Sequence, residues 1–221
     1  MISPRIHQRL LAFTLPAGWF LTPIVANAQS TWVGTTTADW ATPGNWVPSG
    51  IPGDGANIVI ADVTAAGSAN TLNLDISRNI GSLSYGVPAT PRLTAFLLQT
   101  NANTLTIGGG LTASANFAAL GPTMRGSYTL SADQIWTVAG AAGAFGDDRG
   151  VMVRGPNDTA AAVPSGTFTL NGTLTKAGSG QLSLLGLNVT GAGNIVVNEG
   201  ALKLNAGGNQ GLTLGGRATS P

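Results

Sequence analysis

Cysteine is absent from this 221-residue chain. That excludes disulfide staples, thiolate metal sites and a thiol nucleophile. Histidine is nearly absent: the one imidazole, His7, lies near the amino terminus. Beyond it nothing remains for Ser-His-Asp catalysis or for a His-bound zinc or copper ion. Charged residues make up only 9% of the chain, against roughly 25% in globular proteins. The only lysines are Lys176 and Lys203 and the formal net charge is +1, so there is no basic footprint for nucleic acid. No segment carries a sustained 3.6-residue apolar period with caps, which predicts very little helix.

What is present is glycine, at 32 residues, about twice the usual share of roughly 7%. Threonine, serine and asparagine accompany it. A hydrophobic fraction of 43% argues against disorder. Together these describe an all-β chain rich in turns.

Residues 1–28 read as a secretory signal peptide. Arg5, His7 and Arg9 form a basic start, residues 10–25 an apolar middle, and Ala26, Asn27 and Ala28 a small-x-small cleavage site. Pro16, Gly18 and Pro23 interrupt the apolar run, which argues against a membrane span. Cleavage before Gln29 would remove Arg5 and Arg9 and leave eight basic against nine acidic residues. Residues 29–55 differ again, with Trp32, Trp40 and Trp46 among Pro43, Pro48 and Pro52. Two readings apply. The tryptophans form a platform for sugars, or they form a cap over the open end of a repeat array, where core and strand edges need cover. The cap is the preferred reading.

From residue 56 onward the pattern is short strands: 56–62, 71–76, 80–85, 92–99, 104–109, 127–132, 134–140 and 211–216, with residues 141–165 left as loop or decorated coil. Residues 166–205 are the clearest part. Apolar pairs two residues apart (Phe168/Leu170, Leu182/Leu184, Ile195/Val197, Leu202/Leu204) are separated by residues that turn the chain. Leu182 and Leu184 recur as Leu202 and Leu204, and Tyr128 and Leu130 recur as Phe168 and Leu170 at twice that interval; other intervals are irregular, which marks a degenerate repeat. A period of about 20 residues lies in the range of repeat architectures. These strands are too short to stand alone and predict stacking. The expected fold is all-β, a right-handed single-stranded parallel β-helix (a solenoid) over residues 56–216. Its coils should number about seven or eight at the strand spacing, behind an N-terminal aromatic and proline-rich cap, with a tail at 217–221. An antiparallel sandwich is the competing fold, and Asn171-Gly172 is its one good hairpin signal.

Residues 172–205 resemble the passenger-associated transport repeat of bacterial autotransporters. The matching positions are Leu174-Thr175-Lys176, Gly178, Gly180, Leu182, Leu184, Gly186, Thr190-Gly191, Ile195-Val196-Val197, Asn198, Gly200 and Leu202. Residues 127–140 look like the coil that often precedes it. The resemblance implies a secreted or surface-exposed β-helix passenger with a structural or adhesive role, whose repeat aids export and folding. It implies an outer-membrane translocator barrel as partner, and no strands of such a barrel stand in this chain. A host or cell-surface glycan or protein is the other implied partner. Self-association through an exposed C-terminal coil is a further expectation. The location implied is secreted or on the bacterial cell surface, or in the periplasm or outer membrane if not released.

Two other functions compete. One is a carbohydrate-active β-helix enzyme, a polysaccharide lyase or hydrolase, for which Asp147, Asp148, Arg149 and Arg154 are the candidates, with Asp133 and Asp158 near them in sequence. The other is a non-catalytic carbohydrate-binding module built on the tryptophans. The preferred reading is no enzyme: no catalytic, cofactor-binding or metal-binding residue is assigned, and no cofactor is expected. EF-hand, calcium-nonapeptide and P-loop patterns are all missing.

Overall fold

The computed structural model describes residues 28–34, 37–60, 70–86, 96–113, 122–140, 150–155 and 166–205. The expected leader, the strand at 211–216 and the tail lie outside these. Among the described residues the chain is all-β, with one short 3-10 turn at Pro43–Asn45.

The strands fall into three rows of parallel pairs. The first row is Asn57–Ile60, Leu83–Tyr85, Leu111–Ala113, Gln134–Val138, Leu174–Ala177 and Ile195–Val197. The second begins at Thr71–Asn73 and passes through the front halves of Leu97–Ile107 and Thr123–Leu130. It continues through Val151–Arg154 and Gln181–Leu185 to Ala201–Asn205. The third starts at Arg78–Ile80, takes the rear halves of the same two long strands, and ends with Gly166–Leu170 and Leu187–Gly191. Along the chain the rows are visited in the fixed order first, second, third. The only antiparallel pair among the described residues joins Gln29–Trp32 to Trp46–Val47, at the edge of the first sheet.

Period-two alternation explains why these segments are strands with one dry face. In Thr123–Leu130 every second residue is buried along the whole strand. Register then aligns the buried positions from rung to rung. Ile58, Leu83, Leu111 and Trp136 form one such column, and Leu72, Leu98, Met124, Val153 and Leu184 another. The third row aligns Leu105, Tyr128 and Phe168. These side chains belong to one continuous hydrophobic cluster. Two buried polar groups pair within it: the Gln134 amide donates to the Ile107 carbonyl at 3.0 Å, and the Trp136 indole donates to Gln134 Oε1 at 2.9 Å.

The step between neighbouring rungs is irregular, as expected of a degenerate repeat: it is 25 residues from Asn57 to Ser82, 40 from Asp133 to Thr173, and 21 from Thr169 to Thr190. The pairings of Leu182 with Leu202 and of Tyr128 with Phe168 are as expected. A 20-residue coil therefore describes only the last turns. Among the described residues, six strands of the first sheet follow residue 56. Other expectations need correction. Residues 151–154, read as loop, are a strand with Val151 and Val153 fully buried. Four residues without clean alternation gave no signal, and register with both neighbours supplies what the local pattern lacks. The runs 92–99 and 104–109 are joined in one strand, Leu97–Ile107, whose register shifts between Gln99 and Thr104. Asn171-Gly172 makes no hairpin, because the strands on either side of it belong to different rows.

Candidate functional site

The lysine of the repeat points inward. Lys176 shares the parity of Leu174 on its strand and is 0% exposed. It continues the column of Ile58, Leu83, Leu111 and Trp136, and Val197 follows it. A buried ammonium needs acceptors, and the turns of two successive rungs supply them. Its Nζ donates to the carbonyls of Ala177, at 2.9 Å, and Gly178, and to the carbonyl of Glu199, at 3.0 Å, one rung further on. Burial lowers its pKa, and the Glu199 carboxylate opposes that shift.

The glycines of the repeat exist to let this happen. Gly178 has φ +80, and a Cβ there would stand 2.6 Å from the Val138 carbonyl oxygen. Gly200 has φ +75, and a Cβ there would stand 2.9 Å from Lys176 Nζ. Both positions need a left-handed residue with no side chain. The arrangement is a polar staple between consecutive turns. Among the described residues, the bonds of Nζ run to backbone carbonyls and to no second titratable side chain. Sequence reading placed Lys176 in the repeat without seeing its direction; its shared parity with Leu174 was the available signal.

The tryptophans are not a sugar platform. Trp32, Trp40 and Trp46 are 0%, 1% and 1% exposed. Trp46 packs edge-on against both others, with centroid distances of 5.2 and 4.7 Å. Its indole N–H donates to the Trp40 carbonyl at 2.8 Å. Arg78 lies over the Trp40 ring at 5.9 Å and bonds both oxygens of Asp75 at 2.8 Å. No indole face is left for a ligand.

Of the candidates for acid–base chemistry only Asp133 and Arg154 lie among the described residues. Asp147, Asp148, Arg149 and Asp158 lie outside the described residues. Asp133 is exposed in the turn before Gln134–Val138, where it accepts the Thr173 N–H at 2.7 Å. Arg154 sits in the second row, in register with Arg125 and Leu185. Asp133 is therefore a turn brace, and Arg154 stands on another row. Among the described residues no three acidic, histidine or cysteine side chains gather for a metal.

The second row carries a different feature that sequence reading missed. Its outward positions align Asp39, Asn73, Gln99, Arg125 and Arg154 as successive rungs. An open groove of about 700 Å³ runs along the first three of these. Its signal in the sequence was only the scattered polar residues between the buried leucines, and register was needed to align them. Comparison with family models, with curated proteins and with solved structures gives no match for this chain.

Proposed function

We propose that the three rows wind as a right-handed parallel β-helix and that the chain is a secreted or surface-exposed passenger with a structural or adhesive role. The observation that carries this reading is the fixed recurrence of three parallel rows around one dry core. Such an array offers extended faces, which suits display. The tryptophan cluster and the antiparallel strand Trp46–Val47 serve as the N-terminal cap: an antiparallel edge offers no register for another parallel rung.

Export follows from the same physics. A chain without cysteine crosses a pore unfolded with no disulfide to hold it back. Coils that fold outside cannot re-enter, so folding rectifies the movement. The staple at Lys176 joins two successive turns of the repeat at residues 172–205 and helps the array to grow there. An outer-membrane translocator barrel provides the pore.

The test is export of the full-length chain from a Gram-negative host. Amino-terminal sequencing of the exported protein should begin at Gln29, and protease added to intact cells that express a translocator should reach it. Retention in the cytoplasm with residues 1–28 uncleaved would overturn the proposal.

A further inference from the structure

We infer that the groove along the second row binds an extended, neutral glycan. The groove belongs to the folded rows, so the inference holds whether or not the chain is exported. Its floor is formed by outward residues of three consecutive rungs: Asp39, then Thr71 and Asn73, then Leu97 and Gln99. One wall is the irregular segment Asn101–Asn103, where the register of Leu97–Ile107 slips.

The groove is preorganised. Asn101 adopts φ 55, a left-handed conformation that asparagine tolerates better than other side chains. The amides of Asn101 and Asn103 both donate to the Leu74 carbonyl, at 3.1 and 3.3 Å, which pins the wall to the rung below. Gln99 Nε2 donates to Asn101 Oδ1 at 2.8 Å. That bond fixes the Gln99 amide and leaves its Oε1 able to accept. Asp75, the other acid in the wall, is already neutralised by Arg78.

The chemistry selects the ligand. Rungs in register repeat their polar groups at the strand spacing of about 4.8 Å, close to the length of one sugar ring in an extended chain. Amides that both donate and accept suit vicinal hydroxyls, which do the same. Leu97, half-buried on the outward face, gives the C–H face of a ring an apolar surface. The uncovered Asp39 disfavours phosphate and uronate at that end. The volume is in the range of ligand sites, about 300–1,000 Å³, and the open side lets a polymer pass through.

The experiment is an array of neutral oligosaccharides of four to eight residues, with hexagalacturonate as the acidic arm, probed with the full chain. The best neutral hit is then titrated calorimetrically against wild type, Asn73→Ala, Gln99→Ala and the first-row control Thr175→Ala. Each groove variant should weaken binding about tenfold, the scale of one or two hydrogen bonds, with an unchanged far-ultraviolet circular dichroism spectrum. Thr175→Ala should bind as wild type does. No neutral hit, a hit confined to hexagalacturonate, or binding indifferent to both groove variants would overturn the inference.

Discussion

Replacing Lys176 with methionine sets two terms against each other. The change keeps the length and apolar stem of the side chain and removes the ammonium. Three acceptors, the carbonyls of Ala177, Gly178 and Glu199, lose their donor. At about 1 kcal/mol for each lost bond the cost is about 3 kcal/mol. In the other direction, the ammonium no longer has to be stripped of water, which can make an apolar replacement neutral or even favourable. The Glu199 carbonyl belongs to an exposed residue, so part of the bonding is recoverable from water. We expect a net loss of about 2 kcal/mol. With a urea slope of about 2 kcal/mol per M, the midpoint falls by about 1 M. The outward neighbour variant Thr175→Met should shift stability by less than about 0.5 kcal/mol. A pH series adds an independent sign. Because burial lowers the Lys176 pKa, the folded chain releases this proton at a lower pH than the unfolded chain. Stability therefore rises with pH between that lowered value and about 10.4, the unfolded value. Lys176→Met should lack the rise. A midpoint equal to or above that of wild type would refute the reasoning and show that desolvation wins.

Leu182 is fully buried, whereas its register partner Leu202 is only partly so and packs against the core from the last described rung. Leu182→Asp should abolish the cooperative thermal transition, since a buried unpaired carboxylate has no partner there. Leu202→Asp should lower the midpoint and keep the transition, and identical behaviour of the two variants in circular dichroism melts would count against the burial difference. Burial also pushes the phenols of Tyr85 and Tyr128 up, with Tyr128 opposed by Arg125. Above about pH 10 the unfolded chain loses these protons while the folded chain keeps them, so stability falls as pH rises. Tyr85→Phe should make that alkaline fall shallower in pH-dependent urea titrations, and an unchanged slope would argue against a buried phenol.

How much of this was legible depended on whether a local pattern or a long-range pairing carried the information. Leu182 with Leu202 and Tyr128 with Phe168 were visible as recurring apolar pairs, and they are paired in register. Val151–Arg154 was invisible because its place comes from its neighbours on either side. Lys176 was read as part of a motif but not as a core residue. Its alternation pointed inward, and the general preference of lysine for solvent obscured that. The tryptophans offered two readings from composition alone, and only their burial separates them. The groove could not be read at all, since Asp39, Asn73 and Gln99 become neighbours only through rungs far apart in sequence.

The three corners of each turn are not equivalent. From third row to first the chain needs only a few residues each time, as between Ile80 and Leu83, Ile107 and Leu111, Leu130 and Gln134, and Leu170 and Leu174. From first row to second it spends anything from the short link between Ala177 and Gln181 to the long one between Val138 and Val151. From second row to third the link likewise runs from none, inside Leu97–Ile107 and Thr123–Leu130, to the long stretch between Arg154 and Gly166, so length variation falls on the two corners that flank the second row and spares the third-to-first corner. Foreign peptide spliced into the long links on either side of Val151–Arg154 would leave the ladder partners of every strand in place, which makes the flanks of the second row natural graft sites for epitopes or whole inserted modules.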